Sequence, residues 1–377
     1  MPKLSTYLLI IKTLIPYYKI FILLATVALL DGFNIKWIQK NKILSVIVVL
    51  LTVFATLRYN IGFQDYDAYV SAYHDIVENG LNYSKYTTDA AIFEPGFVIT
   101  YYISTFFSNN PIMGFFVIAL LAVSLNLSSY QKYTKYFFVA TLLYFVHTFA
   151  LREMIQIRAG VAAAICLFSI RYVERRLLWR FCVTILIASS FHLASIVFLS
   201  VYWVYWRKWT KKIWIRIICL SLLVGIFMPL GRLLSNIPVS GIGARIATYT
   251  WMIGSDYSGI FNITFFKQFI FCAYSLLYWE KLNSKVPHFN IFFVCMSMSL
   301  CWLSLWRDFP IISNRMATFF SITEVLLLPS FIYLVRRRSI PIVIGIVVFY
   351  AFLTLWLNIN VGNIILYQDY RTFPQIL

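Results

Sequence analysis

Residues 181–206 read FCVTILIASSFHLASIVFLSVYWVYW, bounded by Arg180 and Arg207. This charge-free stretch is long for a core helix and short for two full membrane crossings. Its polar residues gather near the middle, at Ser189, Ser190 and His192. The positive-inside rule puts both flanking arginine loops on one side of a membrane, so the chain between them crosses an even number of times. The stretch therefore reads as a hairpin of two short helices turning near Ser189-Ser190-Phe191-His192, with His192 at the far side.

The rest of the chain repeats the pattern. Its 377 residues are 61% hydrophobic and 12% charged, against about 25% charged in soluble proteins. Apolar runs of about 15 to 20 residues recur from end to end and lack the alternation of a membrane barrel. The expected fold is an all-α polytopic integral membrane protein of about 12 transmembrane helices, forming one domain over 1–377. The first apolar stretch shows no small-residue cleavage site and is expected to stay as an anchor. The net charge of +18 sits largely in short loops at 36–42, 171–180, 207–212, 281–285 and 336–338. These loops set topology and are expected in the cytoplasm, which argues against a nucleic-acid partner. The run 94–108 is short, and a full crossing there would break parity. It is expected to form a re-entrant or interfacial helix. The main outward loops are then 59–93 and 233–262. The six cysteines lie in apolar runs with no CxxC pair, and the four histidines form no HExxH pattern. No metal and no cofactor is expected.

Six of the fourteen acidic residues fall in 59–94: Asp65, Asp67, Asp75, Glu78, Asp89 and Glu94. Tyr59, Tyr66, Tyr69 and Tyr73 surround the first of them. Exposed loops attract acids, but carboxylates also accept sugar hydroxyls and aromatic rings cover sugar faces. Glu94-Pro95-Gly96 reads as a helix start with proline early, or as a ligand position for Glu94.

The outward side carries Arg58, Arg152, Arg158, Arg232, Arg245, Arg307, Arg315 and Arg371, against the topology rule. Arginine binds phosphate bidentately, so an anionic lipid head group would account for them. Arg158 stands six positions past Arg152 in LREMIQIRAGVAAAI. On one helix that is about 9 Å deeper into the membrane, where a charge marks a functional candidate. The structural alternative is an internal ion pair with Glu153 or Asp308. His192 reads as a base, a phosphate donor or a turn cap, and Glu324 as a packing residue inside its span.

Five stretches in order resemble the EpsG family of polysaccharide polymerases, which are Wzy-like. RYNIGFQDYDAY carries Arg58, Gly62, Asp65, Tyr66 and Tyr69. EPGF follows at 94–97, IRAGVA at 157–162, SSFHLASIVFL around His192, and NRMATFFSITEVLLLP at 314–329. Two residues separate Gly62 from Asp65 where the family pattern has one, and Ala159 stands where glutamine is usual.

The resemblance implies a metal-independent glycosyltransferase with a GT-C-like fold, in the bacterial inner membrane with its active site facing the periplasm. Its substrate would be an undecaprenyl-pyrophosphate-linked oligosaccharide, and its expected partners are membrane lipid and a chain-length regulator protein. The reaction would be O-antigen polymerisation with the lipid pyrophosphate as leaving group. On this reading Arg152, Arg158, Arg245, Arg315 and Arg58 bind pyrophosphate. Asp65, Asp67 and His192 are candidate bases, with Arg158 also catalytic. Tyr59, Tyr66, Tyr69, Tyr73 and Glu94 hold the glycan. A flippase of the same lipid-linked unit and an O-antigen ligase remain the alternatives.

Overall fold

The structure is a computed structural model that describes residues 4–33, 37–61, 64–82, 93–228, 230, 263–359 and 370–372. It is almost wholly helical. Six helical stretches are long and apolar enough to cross a membrane: 15–32, 39–56, 111–133, 137–154, 312–334 and 337–357. Four shorter apolar helices cover 178–189, 193–206, 263–277 and 289–305. The chain is thus a multi-pass membrane protein. Among the described residues, six long helices and four short ones stand where about twelve spans are expected.

The chain divides into two compact units. The first unit holds residues 1–169, 183–193 and 335–377, and the second 170–182 and 194–334.

In the first unit, α1 (Leu4–Leu29) and α2 (Trp37–Thr56) are followed by the amphipathic α3 (Gln64–Asn79). Next come the short α4 (Pro95–Thr105) and the long α5 (Pro111–Tyr133). At about 1.5 Å per residue α4 is roughly 16 Å long, half a bilayer core. Proline at its first position fixes the entry angle without costing a hydrogen bond.

Buried Tyr66, Tyr69, Ala72, Tyr73 and Ile76 recur every three or four residues on one face of α3. They meet Phe93, Phe97 and Tyr101 from the α4 segment and Phe115 from α5, with ring centroids 5.3–6.1 Å apart. Each such pair adds about 0.5–1.5 kcal/mol beyond area burial. Gly114 makes room, because a Cβ there would stand 2.8 Å from the Tyr73 ring.

From Phe137 the chain runs through α6 (Phe137–Tyr144), a π-helical turn (Phe145–Phe149), α7 (Ala150–Met154) and α8 (Ile157–Glu174). On one straight helix residues 152 and 160 would lie about 12 Å apart. Instead Gly160 abuts the Arg152 carbonyl so closely that a Cβ would clash. The chain therefore turns at Ile155-Gln156, where the Gln156 N–H reaches back to the Leu151 carbonyl at 2.7 Å. This corrects the expectation that Arg158 lies about 9 Å below Arg152 on one helix. Arg152 lies within α7, and Arg158 stands in the first turn of α8.

α9 (Leu178–Ser189) stops at a turn over 190–192, and a 3-10 stretch (Leu193–Leu199) leads into α10 (Ser200–Trp206). Two short helices and a turn at His192 thus form where the charge pattern calls for a hairpin.

The second unit continues with α11 (Lys211–Phe227), α12 (Ile263–Leu277), α13 (Trp279–Lys285) and α14 (Phe289–Leu305). Then come α15 (Pro310–Phe320) and α16 (Glu324–Ser330), and the first unit closes with α17 (Ile340–Leu357). Three basic loops meet in the second unit. The Trp206 indole donates to the Val173 carbonyl, Arg176 lies over the Trp206 ring, and His288 lies 2.6 Å from Glu174. At the opposite end of α11, Arg307 donates to the Ile226 carbonyl at 2.7 Å. Glu324 pairs with Lys267 at 2.7 Å. In the first unit the chain returns at its end, pairing Arg58 with Thr372 and Tyr59 with Arg371 in a two-residue antiparallel ladder.

Candidate functional site

Glu94 holds the N-cap position of α4, but its carboxylate makes no bond to its own helix. It turns to other elements instead. One oxygen, Oε2, accepts from Arg158 Nη1 at 2.5 Å. The other, Oε1, accepts the Leu193 N–H at 3.3 Å and faces His192 Nδ1 at 3.3 Å. One carboxylate thus joins the start of α4, the start of α8 and the turn after α9. Arg158 therefore pairs with Glu94, neither of the two acids considered from sequence.

Gly96 brings the turn close. Its N–H donates to the Ser190 carbonyl at 2.7 Å, and a Cβ would collide with the Ser190 side chain. The glycine of EPGF is thus a close-approach residue.

Burial pushes the Glu94 carboxyl up, but His192 and Arg158 outweigh it and hold it below the usual range. The carboxylate stays ionised and orients both partners. A carboxylate beside Nδ1 favours the tautomer that leaves Nε2 as acceptor.

Arg158 lies over the Phe93 ring at 5.0 Å and the Tyr69 ring at 5.9 Å, and it hydrogen-bonds the Tyr69 hydroxyl. Arg58 acts on the same hydroxyl electrostatically. Burial raises the Tyr69 pKa, and the two guanidiniums oppose the rise.

Arg58 itself is 1% exposed. Nη1 donates to the Ala55 carbonyl at 2.6 Å, and the guanidinium lies 4.3 Å from the Phe115 centroid. Its Nε and Nη2 have no hydrogen-bond partner among the described residues. A buried guanidinium with idle donors is costly, because its charge is desolvated without full compensation.

The expected site residues separate into groups. Arg58, Glu94, Arg158, His192 and Tyr69 come together. Tyr66 and Tyr73 are buried, so these rings pack the interior and present no open glycan surface; Tyr59 is half-buried. Asp65 and Asp67 are exposed in the first turn of α3, where acids also suit the helix dipole. Arg152 is buried within α7. Arg315 is exposed on α15 of the second unit, and Arg245 lies outside the described residues.

Sequence reasoning passed over the company of Glu153. It is buried, with Oε1 accepting from the Tyr144 hydroxyl at 2.7 Å. Asn126 approaches the same oxygen at 3.5 Å.

A family model described as the EpsG family matches residues 41–372. The chain belongs to the EpsG family. It is also similar to the amylovoran biosynthesis protein AmsC of Erwinia amylovora, 23% identical over 294 residues. That alignment spans 77% of this chain and 78% of the relative. No solved structure matches. This member of the EpsG family is thus a multi-pass membrane protein of polysaccharide biosynthesis. Four of its family-like stretches, at Arg58, Glu94, Arg158 and His192, are the ones that converge in the first unit.

Proposed function

We propose that the protein is a polysaccharide polymerase of the inner membrane, a glycosyltransferase. It joins undecaprenyl-pyrophosphate-linked oligosaccharide repeat units at the periplasmic face, as O-antigen polymerases do. One arrangement carries the reading: Arg158 and His192 share the Glu94 carboxylate, and Arg58 stands on the same tyrosine as Arg158.

In the reaction an acceptor sugar hydroxyl attacks the anomeric carbon of the donor glycan. The new C–O bond forms as the bond to the lipid pyrophosphate breaks, and the electron pair leaves on a pyrophosphate oxygen. Arg158 and Arg58 meet that charge with fixed donors in a poorly hydrated site. The start of α8 adds backbone N–H groups of the right sign. His192 Nε2 takes the hydroxyl proton, while Glu94 holds the ring and stabilises the imidazolium. Asp65 and Asp67 are exposed in the first turn of α3 and serve the acceptor glycan by accepting its hydroxyls.

The test is removal of the gene from its host and electrophoresis of the surface polysaccharide. Single-repeat products in place of long chains, with length restored by wild type and not by Arg158→Ala, support the polymerase. Loss of even the single repeat, or full restoration by Arg158→Ala, overturns it.

A further inference from the structure

The second unit contains a cavity of about 800 Å³ between the α10–α11 loop and the α13–α14 segment. Lys208, Lys211 and Lys212 line it together with Trp209, Trp214 and Trp279. None of the three lysines pairs with a carboxylate among the described residues. The cavity's own acid is Glu280, exposed at its rim, so the lining is cationic overall.

The rings are built in. Trp214 meets Trp209 edge-on at 5.1 Å and Phe293 at 5.5 Å, and Trp279 meets Phe293 at 5.0 Å. Such a wall holds its shape without a ligand. Indoles beside lysines also suit the head-group level of a bilayer.

Two further observations fix the ligand class. Lys211 and Lys212 occupy the first turn of α11, which holds no acid. A helix start is positive, so cations there are unfavourable until an anion joins them. Beyond the cavity, α11 shows Ile215, Leu223 and Ile226 exposed at helical spacing from Lys212. This apolar stripe leads away from the cations along the helix. A free phosphate would have no use for it, whereas an acyl chain would.

We propose that this cavity binds the phosphate head group of an anionic membrane lipid, with the lipid's chain lying along the exposed face of α11. The site is separate from the Glu94 site and independent of the polymerase reading.

The full-length protein in detergent, titrated with dioleoyl phosphatidylglycerol or dioleoyl phosphatidylcholine and followed by native mass spectrometry, tests it. Wild type should prefer phosphatidylglycerol. Lys211→Gln should cut that preference about five-fold, and the triple change Lys208→Gln, Lys211→Gln, Lys212→Gln should abolish most of it. The double change Lys281→Gln, Lys285→Gln removes two nearby charges outside the cavity and should leave the preference intact. Equal binding of the two lipids by wild type overturns the proposal even if no variant folds. So does an unchanged preference in Lys211→Gln, or an equal loss in the double variant. Competition by glycerol phosphate as effective as the lipid itself would also overturn it, by pointing to a soluble phosphate.

Discussion

Glu94 and Arg158 are separated by 64 positions in sequence and by 2.5 Å in space. The same carboxylate faces His192 at 3.3 Å. Glu94→Gln keeps the shape but removes the charge that orients both partners. Polymerisation should fall about 10- to 100-fold at unchanged protein level, as for other residues that position a reacting group. Chain length on gels of complemented cells measures it. Unchanged chain length would mean that the shared carboxylate is structural.

Arg158→Lys keeps the charge but loses the planar fork. If the guanidinium meets a leaving pyrophosphate, activity should drop about 100-fold or more. Full activity with lysine would remove the bidentate role and leave Arg158 as a packing cation over Phe93.

Acidification should loosen the same contact. The Glu94 carboxyl lies below its ordinary value of 4.5 in the fold, because His192 and Arg158 outweigh the upward push of burial. A depressed carboxyl contributes stability that is complete above its unfolded value and is lost as pH falls through the folded one. The thermal midpoint of purified wild type should therefore exceed that of Glu94→Gln at neutral pH. The gap should narrow as pH falls below 4.5 and close once the folded carboxyl is protonated. A constant gap would assign the difference to packing.

Tyrosines of α3 divide by what their hydroxyls do. Tyr73 donates to the Ser108 carbonyl at 2.6 Å, so Tyr73→Phe should cost about 1 kcal/mol of stability and spare activity. Tyr69 touches Arg158, so Tyr69→Phe should spare the fold and lower activity. Thermal melts of both variants beside chain-length gels separate the two effects.

These contacts show what could be read from sequence. The hairpin at 181–206 followed from charge and length, because a bilayer leaves few ways to hide a backbone. The short α4 followed from parity and a proline. The buried face of α3 was also legible, in tyrosines at 66, 69 and 73 with Ala72 and Ile76. Read as a loop, the same residues look like an open sugar surface; read at helical period, their rings turn inward. The turn at Ile155-Gln156 lies a few residues past the 150–153 break that the span lengths give, since no proline fixes it and the nearest sign is Gly160. The Glu94 pairing was hidden. It depends on how three elements meet, and local pattern carries no such information.

Arg58 offers the sharpest separation of stability from function. Its guanidinium is buried with Nε and Nη2 idle, so the fold bears the cost of desolvating a charge for one bond to Ala55 and a contact with the Phe115 ring. Arg58→Met fills similar space with no charge. The loss of the Ala55 bond, about 1 kcal/mol, should be offset by relief of that desolvation, leaving the thermal midpoint equal or higher. Chain growth should nevertheless collapse, because one of the two guanidiniums on Tyr69 is gone. A variant that melts early yet still extends chains would make Arg58 a structural pin. It would then leave Arg158 as the sole pyrophosphate arginine of the first unit's described site.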